Sequence, residues 1–313
     1  MGLNIFPHEL LGRLAHNVSG VDFLPTFARD QIRTVLQTIW NRQAEHEAGI
    51  TFAETQLLVS VKGGEVVRGG APLELIVEKV QQVSNLIYRT VEYLGKRPLR
   101  KRWRVPKDVQ ELCAPWLFQS VPGSYQFVVA IQRKAQHELF GDDAPPDVAQ
   151  KLMDILRAAG EFPEKELRQT VAQDDYRKTF LEMTRNLAPT GKSFSEIEFS
   201  SAVDSSTPVV LSKAPRQQIS TILTPASALL SLTPTTPAVA TNEIIEITGV
   251  LRALDLDRDT IELACGDERQ VIHDTGEIVD DVIGPMVNHN VVVRARRRTG
   301  GTKLVFVDIE RIE

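Results

Sequence analysis

Cysteine is nearly absent from this chain. Cys113 and Cys265 are the only two in 313 residues, too few for a disulfide framework or a cysteine-based zinc site, and a reducing cytoplasm is the expected setting. Long apolar runs are missing too: no window nears the roughly 18 to 20 uninterrupted apolar residues that a membrane span needs. Met1 to Leu14 is broken by Pro7, His8 and Glu9, unlike a signal peptide. Gly2 lacks the downstream Ser or Thr of a myristoylation signal, because Phe6 stands there. The histidines, His8, His16, His46, His137, His273 and His289, are scattered, with no HExxH motif or metal-ligand spacing. There is no G-x-S-x-G elbow, no G-x-G-x-x-G loop and no kinase signature. Nor is there an excess of basic charge: the formal net charge is −5, so the chain as a whole does not attract nucleic acid or anionic lipid. The expectation is no metal, no cofactor, no membrane and no evident small-molecule ligand.

What is present is ordinary globular composition, 42% hydrophobic and 25% charged, in a chain near the length at which one core gives way to two. A Ser, Thr, Pro and Ala stretch from Ser200 to Thr241 marks the division. The expected organisation is an α+β domain over 1–200, a Pro/Ser/Thr-rich flexible linker over 201–242 and a small all-β barrel with one helix over 243–313.

In the first part, Ile32, Val35, Leu36, Ile39 and Trp40 recur at helical spacing within Asp22 to Glu47, and Ile76, Val80, Val83, Ile87, Val91 and Leu94 do so from Leu73 to Leu94, where Gly95 stops the run. Further helices are predicted over Pro146 to Ala159 and Asp174 to Leu187. Strands are predicted within Thr51 to Val61 and Ser193 to Phe199, and Trp116 to Val121 with Tyr125 to Ile131 reads as a hairpin around Pro122-Gly123. Without regular βαβ alternation, a doubly wound sheet or a TIM barrel is excluded.

The last part reads as strands over Ile245 to Leu256, Thr260 to Ala264 and Arg269 to His273, a helix over Glu277 to Val287, and a hairpin of Asn290 to Arg298 with Lys303 to Arg311 around Gly300-Gly301. This β-β-β-α-β-β order resembles the OB fold, and an SH3-like barrel with an inserted helix gives nearly the same string. The resemblance covers this module only and implies a binding surface for oligonucleotides, oligosaccharides or proteins.

Several groups are candidate sites. Lys96, Arg97, Arg100, Lys101, Arg102 and Arg104, with Trp103 among them, could grip phosphates while the indole stacks on a base; alternatively they complement the end of the preceding helix. Arg294, Arg296 and Arg298 alternate along one strand, as a binding ladder or as an ion-paired surface facing Asp280, Asp281 or Asp308. The second reading suits a module holding nine Lys or Arg against fifteen Asp or Glu.

Ile219, Ile222, Leu223, Leu229 and Leu230 are apolar residues of the linker that suit docking onto a partner or onto the chain's own first domain. Glu196 and Glu198 share a strand face, as a metal or acid/base pair would. Ala188 to Ser193 ends in the Gly-Lys-Ser of a P-loop, but Asn186 replaces its first glycine and the helix precedes the strand, the reverse of the required order. Cys113 reads as a packed thiol. The expected function is a non-catalytic interaction or regulatory protein within a larger assembly, with a protein partner. The alternatives are a nucleic-acid-binding accessory protein and, last, a metal-dependent enzyme.

Overall fold

The periodicity of Leu73 to Leu94 becomes the longest helix among the described residues. The computed structural model describes residues 56–67, 70–100, 104–119, 125–132, 148–201, 207–223, 244–275, 282–297 and 303–312. The helix predicted over 22–47 lies outside them. Thr51–Glu313 forms one compact unit, distinct from Met1–Ile50.

Five antiparallel strands, β1 (Leu57–Lys62), β2 (Pro115–Gln119), β3 (Tyr125–Ile131), β4 (Glu196–Ser201) and β5 (Val209–Ser212), form a sheet in the order β2-β3-β1-β4-β5. Alternation puts Leu57, Val59 and Val61 on one face, where Val59 is flanked by Phe127 of β3 and Phe199 of β4, all of them buried. The predicted hairpin is the pair β2 and β3.

The helices are α1 (Leu73–Leu94), α2 (Lys107–Leu112), α3 (Val148–Glu161), α4 (Glu166–Thr170), α5 (Asp174–Leu187) and α6 (Lys213–Leu223). Helix α1 packs on α3 and α5, and α3 reaches β4 and β5. At the end of α1 the left-handed residue is Lys96 (φ 51) rather than Gly95, and the N–H groups of Gly95, Lys96 and Arg97 close the last turn on the carbonyls of Val91, Tyr93 and Glu92. Tyr93, Tyr176 and Phe180 join α1 to α5, with ring centroids 5.4 to 6.1 Å apart.

The linker expected over 201–242 is corrected over its described residues 207–223. Its described part contains β5 and α6. Val209 and Leu211 alternate into the core, and Ile219 is fully buried. Pro215 lies in the first turn of α6, where a missing N–H costs nothing. Composition suggested a spacer, but a single apolar face was enough to fold this stretch onto α5 and β5.

Strands β6 (Ile244–Asp255), β7 (Thr260–Cys265), β8 (Glu268–His273), β9 (Asn290–Arg297) and β10 (Leu304–Arg311) close into a barrel in the order β10-β8-β7-β6-β9. The β8–β10 pair is parallel and the others antiparallel. Leu251, Ile261, Leu263, Ile272, Val291, Val293 and Ala295 fill it. Gly249 lets β6 approach β7 closely, since a Cβ there would lie 2.6 Å from the Ala264 carbonyl oxygen. Of the helix predicted over 277–287, residues 282–287 are described: Val282 and Ile283 are π-helical and run into a 3-10 turn, Gly284–Met286, with Pro285 in its first positions, where a missing N–H is tolerated.

If α6 belongs to the core, Ile219→Ala should lower unfolding stability by about 2–5 kcal/mol in denaturant titration. A tether residue would leave the midpoint unchanged.

Candidate interaction site

Helix α5 is buried around almost its whole circumference from Thr179 to Leu187, so a cation on it must find an anion inside the protein. Arg185 has a fully buried side chain. It donates two parallel hydrogen bonds to Asp308, at 2.8 and 2.9 Å, and a third to the Ile309 carbonyl at 2.6 Å. Burial alone would lower the pKa of Arg185, yet Asp308 and the acids beyond it hold it above its ordinary value.

The acceptor is presented by an irregularity of β10. Register slips between Phe306 and Asp308, and as a result Asp308 and Ile309 are both buried, Asp308 turned to α5 while Ile309 joins the core. Arg294 reaches the same carboxylate at 2.9 Å and also Glu246 at 2.8 Å. Two residues along β10, Glu310 receives Arg216 of α6 at 2.9 Å. Arg216 also donates to the carbonyls of Arg185 and Ala188 at 2.6 and 3.0 Å, satisfying the end of α5. Arg311 pairs with Glu78 of α1. The barrel is thus bolted to the helical layer by charge.

Beside this seam is a cleft lined by Glu78, Lys79, Asn186, Phe194, Arg216 and Met286, among others. Lys79 is 3% exposed. Its ammonium lies 4.9 Å from the Phe194 ring centroid and donates to Gln82 at 3.0 Å and Glu78 at 3.3 Å. Burial pulls its pKa below the ordinary lysine value despite Glu78.

The candidate residues are placed as follows. Arg97 pairs with Asp108, and its carbonyl accepts the Tyr176 hydroxyl at 3.2 Å. Arg100 Nε donates to buried Glu92 at 2.9 Å, while its carbonyl accepts from Arg89 at 2.7 Å. These two cations brace the end of α1. Lys96 and Arg104 are exposed; Lys101, Arg102 and Trp103 lie outside the described residues. In the barrel, Arg294 is ion-paired, with Asp308 the partner expected among the three acids, and Arg296 is exposed; Arg298, Asp280 and Asp281 lie outside the description.

Ile219, Ile222 and Leu223 pack against the chain's own core, the second of the two placements expected for them and not the partner surface; Leu229 and Leu230 are not described. Glu196 and Glu198 both pair with Lys62, Glu196 at 3.7 Å, and no cluster of three metal-ligating side chains exists among the described residues. The Gly-Lys-Ser turn stands between α5 and β4, in the order read from the sequence. Arg185 and Arg216 went unnoticed; the available signal for Arg185 was a cation within the buried run Leu181, Thr184 and Leu187 on α5.

Among the described residues no helix is long and apolar enough to cross a membrane. No protein-family model, no curated protein and no solved structure matches the chain. What stands is a mixed α+β unit carrying a closed five-stranded barrel.

Two predictions follow from this geometry. Asp308→Ala strands Arg185 without its carboxylate and should cost about 3–5 kcal/mol, much of it recovered in the double variant Arg185→Met, Asp308→Leu, as read by chemical unfolding. Cys113 is 1% exposed, and burial pushes its thiol from an ordinary 9.0 up to about 12. In the native protein at pH 8 a thiol reagent should therefore modify Cys265, which is half-buried, and reach Cys113 only on unfolding. Because the folded value is raised, this group's contribution is intact below pH 9.0 and is lost as pH climbs toward 12.

Proposed function

We propose that this protein is a non-catalytic interaction component of a larger assembly, in which an α+β layer and an OB-like barrel act as one binding body toward a protein partner. The observation that carries the reading is an apolar stripe on α1. Leu73 and Val77, one helical turn apart, are 77% and 59% exposed, whereas burying such side chains is worth about 1.5–3 kcal/mol each. Val67, shortly before the helix, is 65% exposed. Apolar side chains so grouped suit a protein surface that is covered in the working complex.

The OB-like reading is supported by the closed five-strand order and the parallel β8–β10 pair. In that fold the second and third strands carry the binding face; here these are β7 and β8. Their outward residues include Glu262, Arg269, Val271 and His273, with Arg269 bonded to Glu262 at 2.8 Å. A face with no aromatic and a neutralised arginine lacks the stacking platform and positive groove of a single-strand binder. It favours protein over nucleic acid.

The test is a pair of substitutions, Leu73→Asp with Val77→Asp. We expect an unchanged melting temperature and loss of a stoichiometric companion that co-purifies with the tagged wild-type chain from its native host. Retention of the same companions by the double variant would remove α1 as the docking face, and a turnover by the isolated chain that a point substitution abolishes would overturn the non-catalytic reading.

A further inference from the structure

Lys79 is a buried nucleophile that the seam does not need for charge, since Asp308 and Glu310 are already met by Arg185, Arg294 and Arg216. It stands two residues after the exposed Val77 on α1 but faces the cleft instead of solvent. A lysine this deep is normally paired at close range. Here Gln82 accepts at 3.0 Å, while Glu78 at 3.3 Å and the Asn186 carbonyl at 3.5 Å lie toward or beyond the long end of hydrogen-bonding range. Met183, Phe194, Val282, Pro285 and Met286 give the cleft an apolar wall, and the Phe194 ring centroid is 4.9 Å from the lysine nitrogen.

Three charged groups act on this amine from the elements around it: Glu78 of α1, Arg311 of β10 and Arg216 of α6. Burial outweighs the attraction of Glu78, and the two guanidiniums oppose a third cation beside them, so the pKa falls below the ordinary 10.5. The uncharged amine is therefore populated at lower pH than on an exposed lysine, which is the state that attacks a carbonyl. Asn186 adds a spare acceptor. Its Oδ1 is buried with no hydrogen-bond partner, on the residue whose backbone carbonyl lies 3.5 Å from the amine. Such a group calls for a donor.

We propose that Lys79 is a covalent capture site for a small, neutral, apolar aldehyde, held in the cleft as an imine. A neutral ligand is favoured over a keto acid because the cleft's guanidiniums are committed, Arg216 to Glu310 and Arg311 to Glu78. The step balances without an oxidant or reductant. The ammonium first gives its extra proton to water, and the nitrogen lone pair then bonds to the carbonyl carbon. One N–H proton passes to the carbonyl oxygen, and the resulting hydroxyl leaves with the second N–H proton as water, closing the C=N bond. Apolar walls that exclude water favour this dehydration and slow its reversal.

The test is reductive trapping: the native full chain is incubated with benzaldehyde and cyanoborohydride, and the adducts are placed by peptide mass mapping. At pH 7, Lys79 should be labelled about tenfold more than the exposed Lys96 and Lys107. The advantage should shrink as pH rises toward the ordinary lysine value of 10.5, where exposed lysines also lose their protons. Glyoxylate, which carries a carboxylate, should label Lys79 less than benzaldehyde does. In Lys79→Arg the cleft adduct should vanish while labelling of Lys96 is unchanged. Labelling of Lys79 only after unfolding, or no faster than Lys96 at pH 7, overturns the proposal and leaves Lys79 a packed cation. Preference for glyoxylate overturns the neutral-aldehyde assignment. These readings come from the wild-type chain and do not depend on the variant's folding. With Leu73 and Val77 untouched, an unreactive Lys79 leaves the docking reading of α1 standing.

Discussion

The bidentate pair between Arg185 and Asp308 is the interaction on which the arrangement of the described structure depends. A guanidinium on a helix enclosed by other elements must be met by a carboxylate of matching geometry, because an uncompensated buried charge costs several kcal/mol. That requirement fixes where the barrel sits. The irregularity in β10 turns Asp308 outward while keeping Ile309 in the barrel core; Glu310, two residues on, then meets Arg216. Hydrophobic packing within each layer sets the layers themselves, but it is non-directional. The ion pairs supply the register between them.

Charge in this protein accordingly has a structural use. Arg89, Arg97, Arg100, Arg185, Arg216 and Arg294 hold the structure together, pairing with Glu92, Asp108, Asp308, Glu310 and Glu246 or with backbone carbonyls. Cationic density along the chain is therefore a poor guide to binding here. The run after α1 looked richest in sequence, yet two of its members brace a helix end.

Where the fold was legible, a period carried it. Helices α1 and α5 were predicted to the residue, since Val83, Ile87 and Val91 or Tyr176, Phe180 and Met183 repeat at a spacing only a helix can bury together. Barrel strands showed as alternation between turns. Strand β5 was missed because four residues with two buried positions are too short to register a period, and α6 because Thr, Ser and Pro around it dominate the composition. Of the helix predicted over 277–287, the described end is helical through Met286, a π turn passing into a 3-10 turn.

The sequence by itself determined the long helices and the barrel strands, because local spacing and turn residues are properties of neighbours along the chain. It also placed Arg294 and Arg296 on one strand, and it offered Asp308 as a partner. The tertiary structure alone decided that Asp308 is shared with Arg185, 123 residues away, and that Ile219 is core. Those pairings depend on which elements pack together, and a residue's neighbours across a seam leave no trace in the residues beside it.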